Sequence, residues 1–157
     1  MPFATPYVCI IKSNNMNNLQ TEIIINASAE KVWNVLMDFE KYGQRNPFVK
    51  SIEGEQAIGA KLRVVLKNGN GTSVFKPKVV TLDKHKTFEW LGSLPIPGLF
   101  NGQHKFAIEK ISDTQVKFIH GEEFSGLLAG LIMKQIGEQT RNGFIAMNNK
   151  LKERAEG

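Results

Sequence analysis

The stretch VKFIHGEEF, residues 116–124, decides how this chain can fold. It reads as a β-strand, in which every second side chain points to the same side of the sheet. His120 and Glu122 then share one face with the apolar Phe118 and Phe124. Burying an ionisable group is costly unless the group is paired, hydrogen-bonded or uncharged. Polar groups that converge inside an apolar wall are typical of a small-molecule pocket.

The strand before it, residues 102–110, carries His104 at an equivalent position. A turn at residues 112–114 joins the two strands, and the length of a hairpin loop sets the register of the strands that it connects. A three-residue loop pairs His104 with Glu122, whereas a shift by two residues pairs it with His120. Both registers keep the three ionisable groups on one face and within reach of one another.

Outward from this hairpin, apolar residues recur with a period of two in strands and of three to four in helices. Ser28 is a good N-cap for a helix that runs to about residue 38, and a short helical turn is expected at residues 40–44. A long helix is predicted at residues 127–154. The loop at residues 92–101 has Pro and Gly but also large apolar side chains, so we expect it to pack over a pocket. Strands are predicted at residues 19–26, 49–55, 61–67, 73–82, 87–92, 102–110 and 115–124.

This order of elements predicts an α+β fold. A curved antiparallel sheet of about seven strands wraps around the long C-terminal helix, with one or two short helices after the first strand. The 157 residues fit one domain, which we expect to span residues 19–155. Residues 1–18 are expected to form a flexible extension, in which Met16 is a candidate for the biological start.

Charge and cysteine usage argue against several classes of protein. The 20 basic and 15 acidic residues give a net charge of +5, but no basic stripe predicts nucleic-acid binding. No segment approaches the roughly 20 apolar residues of a membrane span, so stable membrane insertion is not expected. The one cysteine excludes an internal disulfide and favours a reducing compartment, so we expect a cytoplasmic location.

Several short segments, taken with the order of elements, resemble the SRPBCC superfamily, whose fold is called START-like or helix-grip. The chain is most similar to its polyketide cyclase/dehydrase-like branch. The resemblance implies a deep apolar cavity between the sheet and the long helix. The segments that carry it are INASAEKVW at 25–33, FEW at 88–90, PGLF at 97–100, GQHKF at 102–106, HGEEFSG at 120–126 and GFIAMN at 143–148.

The function expected from these patterns is to bind or carry a small hydrophobic or aromatic molecule in that cavity. The alternative is a cofactor-free cyclase or dehydratase in which Glu122 and His104 or His120 form an acid–base pair. The same residues are also compatible with a purely structural polar network. Two histidines and a carboxylate resemble a facial metal site, but the sequence shows no pattern of groups that would orient such ligands, so neither a metal nor a cofactor is expected. The candidate ligand-binding residues are His104, His120, Glu122, Phe88, Trp90, Phe106, Phe118, Ile136, Thr140 and Phe144.

Overall fold

The computed structural model describes residues 17–157 and has an α+β architecture. The expected extension at residues 1–18, with Met16, lies almost wholly outside the described residues, and the first strand begins at Asn18. The strands are β1 (Asn18–Ile25), β2 (Val49–Glu53), β3 (Arg63–Asn68), β4 (Gly71–Phe75), β5 (Lys78–Asp83), β6 (Thr87–Ser93), β7 (Asn101–Ser112) and β8 (Gln115–Ser125). The helices are α1 (Ala29–Leu36), a 3-10 turn (Phe39–Lys41), α2 (Tyr42–Arg45) and α3 (Ala129–Glu156).

The strands form two antiparallel sheets. Five strands are ordered β1-β8-β7-β6-β5, and the other three are ordered β2-β3-β4. An isolated bridge between Lys61 and Lys78 connects the two sheets. Helix α3 packs against β1 and β8, and α1 packs against α3. This arrangement is the predicted helix-grip fold, with eight strands within residues 17–157 instead of about seven.

The additional strand comes from a break at Pro77. Residues 73–82 were predicted as one strand, but the structure divides them into β4, which ends at Phe75, and β5, which begins at Lys78. Proline cannot donate a backbone hydrogen bond to a neighbouring strand, so it is disfavoured inside a sheet. The carbonyl of Pro77 instead accepts a bond from the backbone N–H of Leu62 at 2.8 Å, which links the two sheets at this point.

The central hairpin has the first of the two registers that the sequence left open, although its turn differs from the expected three-residue loop: Ser112 pairs with Gln115, and a register shift between Lys110 and Ser112 sets the pairing of the rest. His104 lies opposite Glu122, and Phe106 lies opposite His120. The predicted N-cap of α1 is also present, because the Ser28 hydroxyl accepts a hydrogen bond from the backbone N–H of Lys31 at 3.2 Å. These two local features fix the direction in which the chain enters α1 and the face on which the histidines lie.

Helix α3 is buried unevenly along its length. Its C-terminal half buries an apolar stripe that includes Phe144, Met147 and Leu151 against the core. In the N-terminal half, Ile136 is exposed and Thr140 is only half-buried. The same helix therefore closes one end of the sheet tightly and stands away from the other end.

Candidate ligand-binding site

A cavity of about 430 Å³ lies where helix α3 stands away from the sheets. Its volume falls within the range of roughly 300–1,000 Å³ that is typical of small-molecule sites. The wall is formed by the second sheet, by strands β6–β8, by the loop after β6 and by the N-terminal half of α3. Its lining residues are Phe48, Val49, Val64, Leu66, Phe75, Lys76, Pro77, Trp90, Gly92, Ser93, Leu94, Phe100, Gly102, His104, Phe106, Glu122, Phe124, Ile132, Ile136 and Thr140.

Other grooves on the surface have a different character. One lies beside the 3-10 turn and is lined by Asp38, Glu40, Lys50 and Glu53, among others. These charged side chains, apart from the half-buried Asp38, are exposed to solvent, whereas the cavity at α3 is walled largely by aliphatic and aromatic groups. An apolar wall with few polar groups is the usual character of a small-molecule site, so the cavity at α3 is the candidate site.

Glu122 and His104 are paired in the wall of this cavity. A carboxylate oxygen of Glu122 lies 3.5 Å from Nδ1 of His104, and the two side chains are 19% and 8% exposed. Gly102, two residues before His104, makes room for the carboxyl group. A Cβ atom at Gly102 would lie only 2.6 Å from Oε1 of Glu122. The absence of a side chain at this position therefore lets Glu122 lie flat against β7 and reach the histidine.

Behind His104, a chain of polar groups continues into the protein interior. The Nε2 atoms of His104 and His120 are 2.6 Å apart, and Nδ1 of His120 is 2.8 Å from Oδ1 of Asn148 on α3. The amide nitrogen of Asn148 donates to the hydroxyl of Thr21 at 2.8 Å. Thr21 in turn donates to the backbone carbonyl of His120 at 3.2 Å. Each of these buried side chains thus has a hydrogen-bond partner, which offsets the cost of removing it from water.

Aromatic rings hold the two histidines in place. The ring of His120 stacks on Phe144 with a centroid distance of 3.9 Å and an interplanar angle of 16°. His104 lies 4.9 Å from the ring of Trp90 and 4.7 Å from that of Phe106. The aromatic rings therefore surround the two histidines with apolar surface, which keeps them hydrogen-bonded within the polar chain.

His120 is fully buried, and this determines its charge. Burial and the neighbouring His104 hold the pKa of His120 well below its usual value of 6.5. The hydrogen bonds that its ring makes to Asn148 and to the backbone of Phe144 act in the opposite direction but are the smaller influence. His120 is consequently a neutral imidazole near pH 7, with one nitrogen that donates and one that accepts.

The structure brings some of the predicted site residues to the cavity and places others behind it. Those in the cavity wall are Trp90, His104, Phe106, Glu122, Ile136 and Thr140. Those in the packed interior, outside the wall, are Phe88, Phe118, His120 and Phe144. A residue on the inner face of a strand contacts the cavity only where helix α3 stands away from the sheet. The alternation of residues along a strand predicts the face but not this position.

Several residues of the site were not among those predicted. Leu66 and Phe75 come from the second sheet and Phe48 directly precedes its first strand, so their position depends on how that sheet folds over the cavity. Thr21 and Asn148 complete the polar chain; Asn148 lies four residues after Phe144, so its position on the buried stripe of the helix was visible in the sequence. Leu94 and Phe100 come from the apolar loop that was expected to pack over a pocket, and both line the cavity.

Within residues 17–157, no group of three or more His, Cys, Asp or Glu side chains has the geometry to hold a metal ion. No helix in this part of the chain is long and apolar enough to cross a membrane.

The eight strands of the described residues and the long helix that packs on them form the helix-grip fold of START-like proteins. A family model described as "Polyketide cyclase / dehydrase and lipid transport" matches residues 16–156. The chain therefore belongs to this family, within the SRPBCC superfamily. A search of curated proteins finds no match.

Solved structures share the fold at low sequence identity. The aromatase/cyclase Zhui from a Streptomyces species is 15% identical, with a TM-score of 0.70 over 88% of this chain and 93% of that one. A START superfamily protein from Mycobacterium smegmatis is 18% identical, with a TM-score of 0.67 over 88% and 97%. A hypothetical protein from Helicobacter pylori is 16% identical, with a TM-score of 0.70 over 97% and 99%. At these identities the likeness shows the fold alone.

Proposed function

We propose that the protein binds or carries a small hydrophobic or aromatic molecule whose one polar group meets Glu122. The observation that carries this proposal is the largely apolar cavity with the Glu122–His104 pair in its wall. Burial of the apolar part of a ligand supplies most of the binding free energy, and a few placed polar groups fix its orientation. The family description, which includes lipid transport, is consistent with such a ligand.

The polar group of the ligand is expected at Glu122 and not at His104. Both ring nitrogens of His104 already have partners, Glu122 on one side and His120 on the other. The carboxyl of Glu122 is therefore the group in this part of the wall that can turn to a ligand. It can accept a hydrogen bond from a neutral hydroxyl, whereas a ligand carboxylate has no proton to donate to it.

The test uses three probes of nearly equal shape: 1-naphthol, naphthalene and 1-naphthoate. Trp90 lines the cavity, so quenching of tryptophan fluorescence should report binding of each probe. We expect 1-naphthol to bind about tenfold more tightly than naphthalene, because a hydrogen bond to a charged group contributes about 1.5–3 kcal/mol. Naphthoate should bind more weakly than naphthol.

In the variant Glu122→Gln, the preference for naphthol over naphthalene should shrink while naphthalene binding stays unchanged. Glu123→Gln is the matched control, because Glu123 is the next residue on the same strand but is exposed on the opposite face. Failure of all three probes to bind, or equal loss of preference in both variants, would contradict the proposal.

A second candidate function is acid–base catalysis by Glu122 and His104, supported by their proximity at the cavity wall. The aromatase/cyclase Zhui and two di-domain ARO/CYC proteins from biosynthetic pathways share this fold. An enzyme of this kind would convert an aromatic or polyketide ketone, and Glu122→Gln would abolish turnover while the variant still bound the substrate. Binding without any turnover of such ketones would leave the carrier function.

We also propose a cytoplasmic location and no nucleic-acid partner. The one cysteine of the sequence leaves no internal disulfide, as is usual in a reducing compartment. The basic residues are scattered and do not form the stripe that tracks a phosphate backbone. Fractionation of the host cell tests the location, and a gel-shift assay with single- and double-stranded DNA tests the second point.

A further inference from the structure

Each hydrogen bond in the buried polar chain behind the cavity has a defined donor and acceptor, and the assignment starts at Thr21. A hydroxyl has one proton to donate, and the hydroxyl of Thr21 donates it to the backbone carbonyl of His120. It must then accept from its other neighbour, Asn148, whose side-chain atom lies 2.8 Å away. An amide can donate only through its nitrogen, so Asn148 turns Nδ2 to Thr21 and Oδ1 to His120.

The orientation of Asn148 then fixes the proton on each histidine. Oδ1 can only accept, so Nδ1 of His120 carries a proton and donates across the 2.8 Å distance. A neutral His120 has its lone pair on Nε2, which lies 2.6 Å from Nε2 of His104. Two lone pairs cannot face each other at this distance, so Nε2 of His104 must carry a proton. This leaves Nδ1 of His104 facing the carboxyl of Glu122.

We propose that Asn148, held by Thr21, is a positioning residue that keeps a proton on Nε2 of His104 and so leaves Nδ1 as the acceptor nitrogen on the side of Glu122 and the cavity wall. Neither Thr21 nor Asn148 lines the cavity, so both act only through the histidines. The inference deepens the proposed function and rests on it only for the use that a ligand would make of this side of the ring.

This order of protons determines which side of His104 is turned to the cavity. Nε2 donates to His120 in the interior, and Nδ1 is the acceptor that faces Glu122 at the cavity wall. The burial that holds the pKa of His120 far below neutral supports this chain, because an uncharged His120 is required for the order of protons.

The test is direct observation of the ring nitrogens by NMR of protein labelled with ¹⁵N-histidine, without any ligand. Protonated and unprotonated ring nitrogens have well-separated ¹⁵N shifts, and the sequence has three histidines. Single variants at His85, His104 and His120 assign the signals. We expect a protonated Nδ1 and an unprotonated Nε2 for His120, and a protonated Nε2 for His104. The opposite tautomer of His120 would overturn the proposal.

The variant Asn148→Asp tests whether residue 148 sets the direction. A carboxylate at this position would draw a second proton onto His120, whose Nε2 would then donate to His104. We expect the proton of His104 to move from Nε2 to Nδ1. Thr21→Ser keeps the hydroxyl and serves as the matched control, which should retain the wild-type tautomers. If Asn148→Asp leaves His104 protonated on Nε2, the proposal is wrong.

These spectra and the naphthol titrations separate the two proposals. Wild-type tautomers as expected, together with no probe binding, would remove the proposed function and keep the proton order. Probe binding with the opposite tautomers would keep the cavity as a ligand site and remove the role of Asn148.

Discussion

The two ends of helix α3 cover the same sheet, yet one end is packed and the other is hollow. At the C-terminal end, Met147 and Leu151 fill the space against β1 and α1, together with the fully buried Phe118 of β8. At the N-terminal end, Ile132, Ile136 and Thr140 line a cavity of about 430 Å³ without filling it. The difference lies in how much side-chain volume each end carries and in the cover that α1 gives to only one of them.

The border between the two ends is where the polar chain crosses the interior. His104 contacts the cavity, and His120, with Asn148 and Thr21 behind it, belongs to the packed end. The packed end therefore serves two purposes. It stabilises the fold, and it holds the groups that orient the one ionisable pair at the cavity wall.

The largest expected loss of unfolding free energy comes from a substitution in the packed end. Phe118→Ala removes a fully buried ring from the core, and such changes cost about 3–5 kcal/mol of unfolding free energy. Ile136→Ala at the hollow end removes a side chain that is 38% exposed and should cost only about 0.5 kcal/mol. Urea unfolding of both variants measures the difference. Equal losses would mean that the cavity end is packed as tightly as the other.

His120, in the packed end, should make the unfolding free energy of the protein depend on pH. Its folded-state pKa is held well below 6.5, so the unfolded chain takes up a proton in a range where the folded protein does not. Stability should therefore be complete above pH 6.5 and decline as the pH falls below it, by up to about 1.4 kcal/mol per pH unit. Urea unfolding between pH 7.5 and about 5 measures the slope.

The variant His120→Gln has no such proton to take up at position 120. Although its overall stability should be lower, its stability should fall less steeply with decreasing pH than that of the wild type. An unchanged slope would show that another group is responsible and that His120 is accessible to protons in the folded state.

How much of this was predictable differs between the hairpin and the cavity. Strict alternation, which is local, places His104 and Glu122 on one face of the sheet. The turn left two registers open, and the shift between Lys110 and Ser112 that selects one of them was not predicted. The break at Pro77 was visible too, because proline is disfavoured inside a strand. The fold class followed from the order of elements and from the resemblance.

The cavity wall depends on contacts between residues that are far apart in the chain. Phe48 reaches it because its ring packs against Phe144 of α3, and no local pattern specifies that approach. Phe88 and Phe106 have the same parity with respect to their strands, but only Phe106 lies where the helix stands away. Parity predicts a face of the sheet, whereas the position along that face depends on the helix opposite.

Two glycines in the cavity wall allow its role in binding to be tested without substitution of a charged residue. Gly92 and Gly102 face each other on β6 and β7, and both line the cavity. A Cβ at Gly102 would lie 2.6 Å from Oε1 of Glu122, so Gly102→Ala should push the carboxyl away from His104. A loss of about tenfold in naphthol affinity is expected, corresponding to roughly 1.4 kcal/mol.

Gly92→Ala is the matched control, since its Cβ would meet only a backbone oxygen at 3.8 Å, an ordinary contact. Its affinity for naphthol should stay within twofold of the wild type. A similar loss in both variants would indicate that the added methyl groups act by filling the cavity and not by displacing Glu122.

The smallest expected effect is that of substitutions at two glycines of α3, which lie on either side of the border between the hollow and the packed end. A glycine inside a helix costs about 1 kcal/mol relative to alanine, so each needs a compensating reason. Gly143 has one, because a Cβ there would lie 2.5 Å from the ring of Phe48, which cannot move without disturbing Phe144 behind it. Gly137 has none of this kind, since its Cβ would meet only the flexible end of Met133 at 3.4 Å. Gly137→Ala should therefore raise the unfolding free energy by about 0.5–1 kcal/mol, whereas Gly143→Ala should lower it or leave it unchanged. Thermal unfolding of the two variants decides the point: stabilisation by both would mean that the close approach of Phe48 to α3 does not define the border of the cavity.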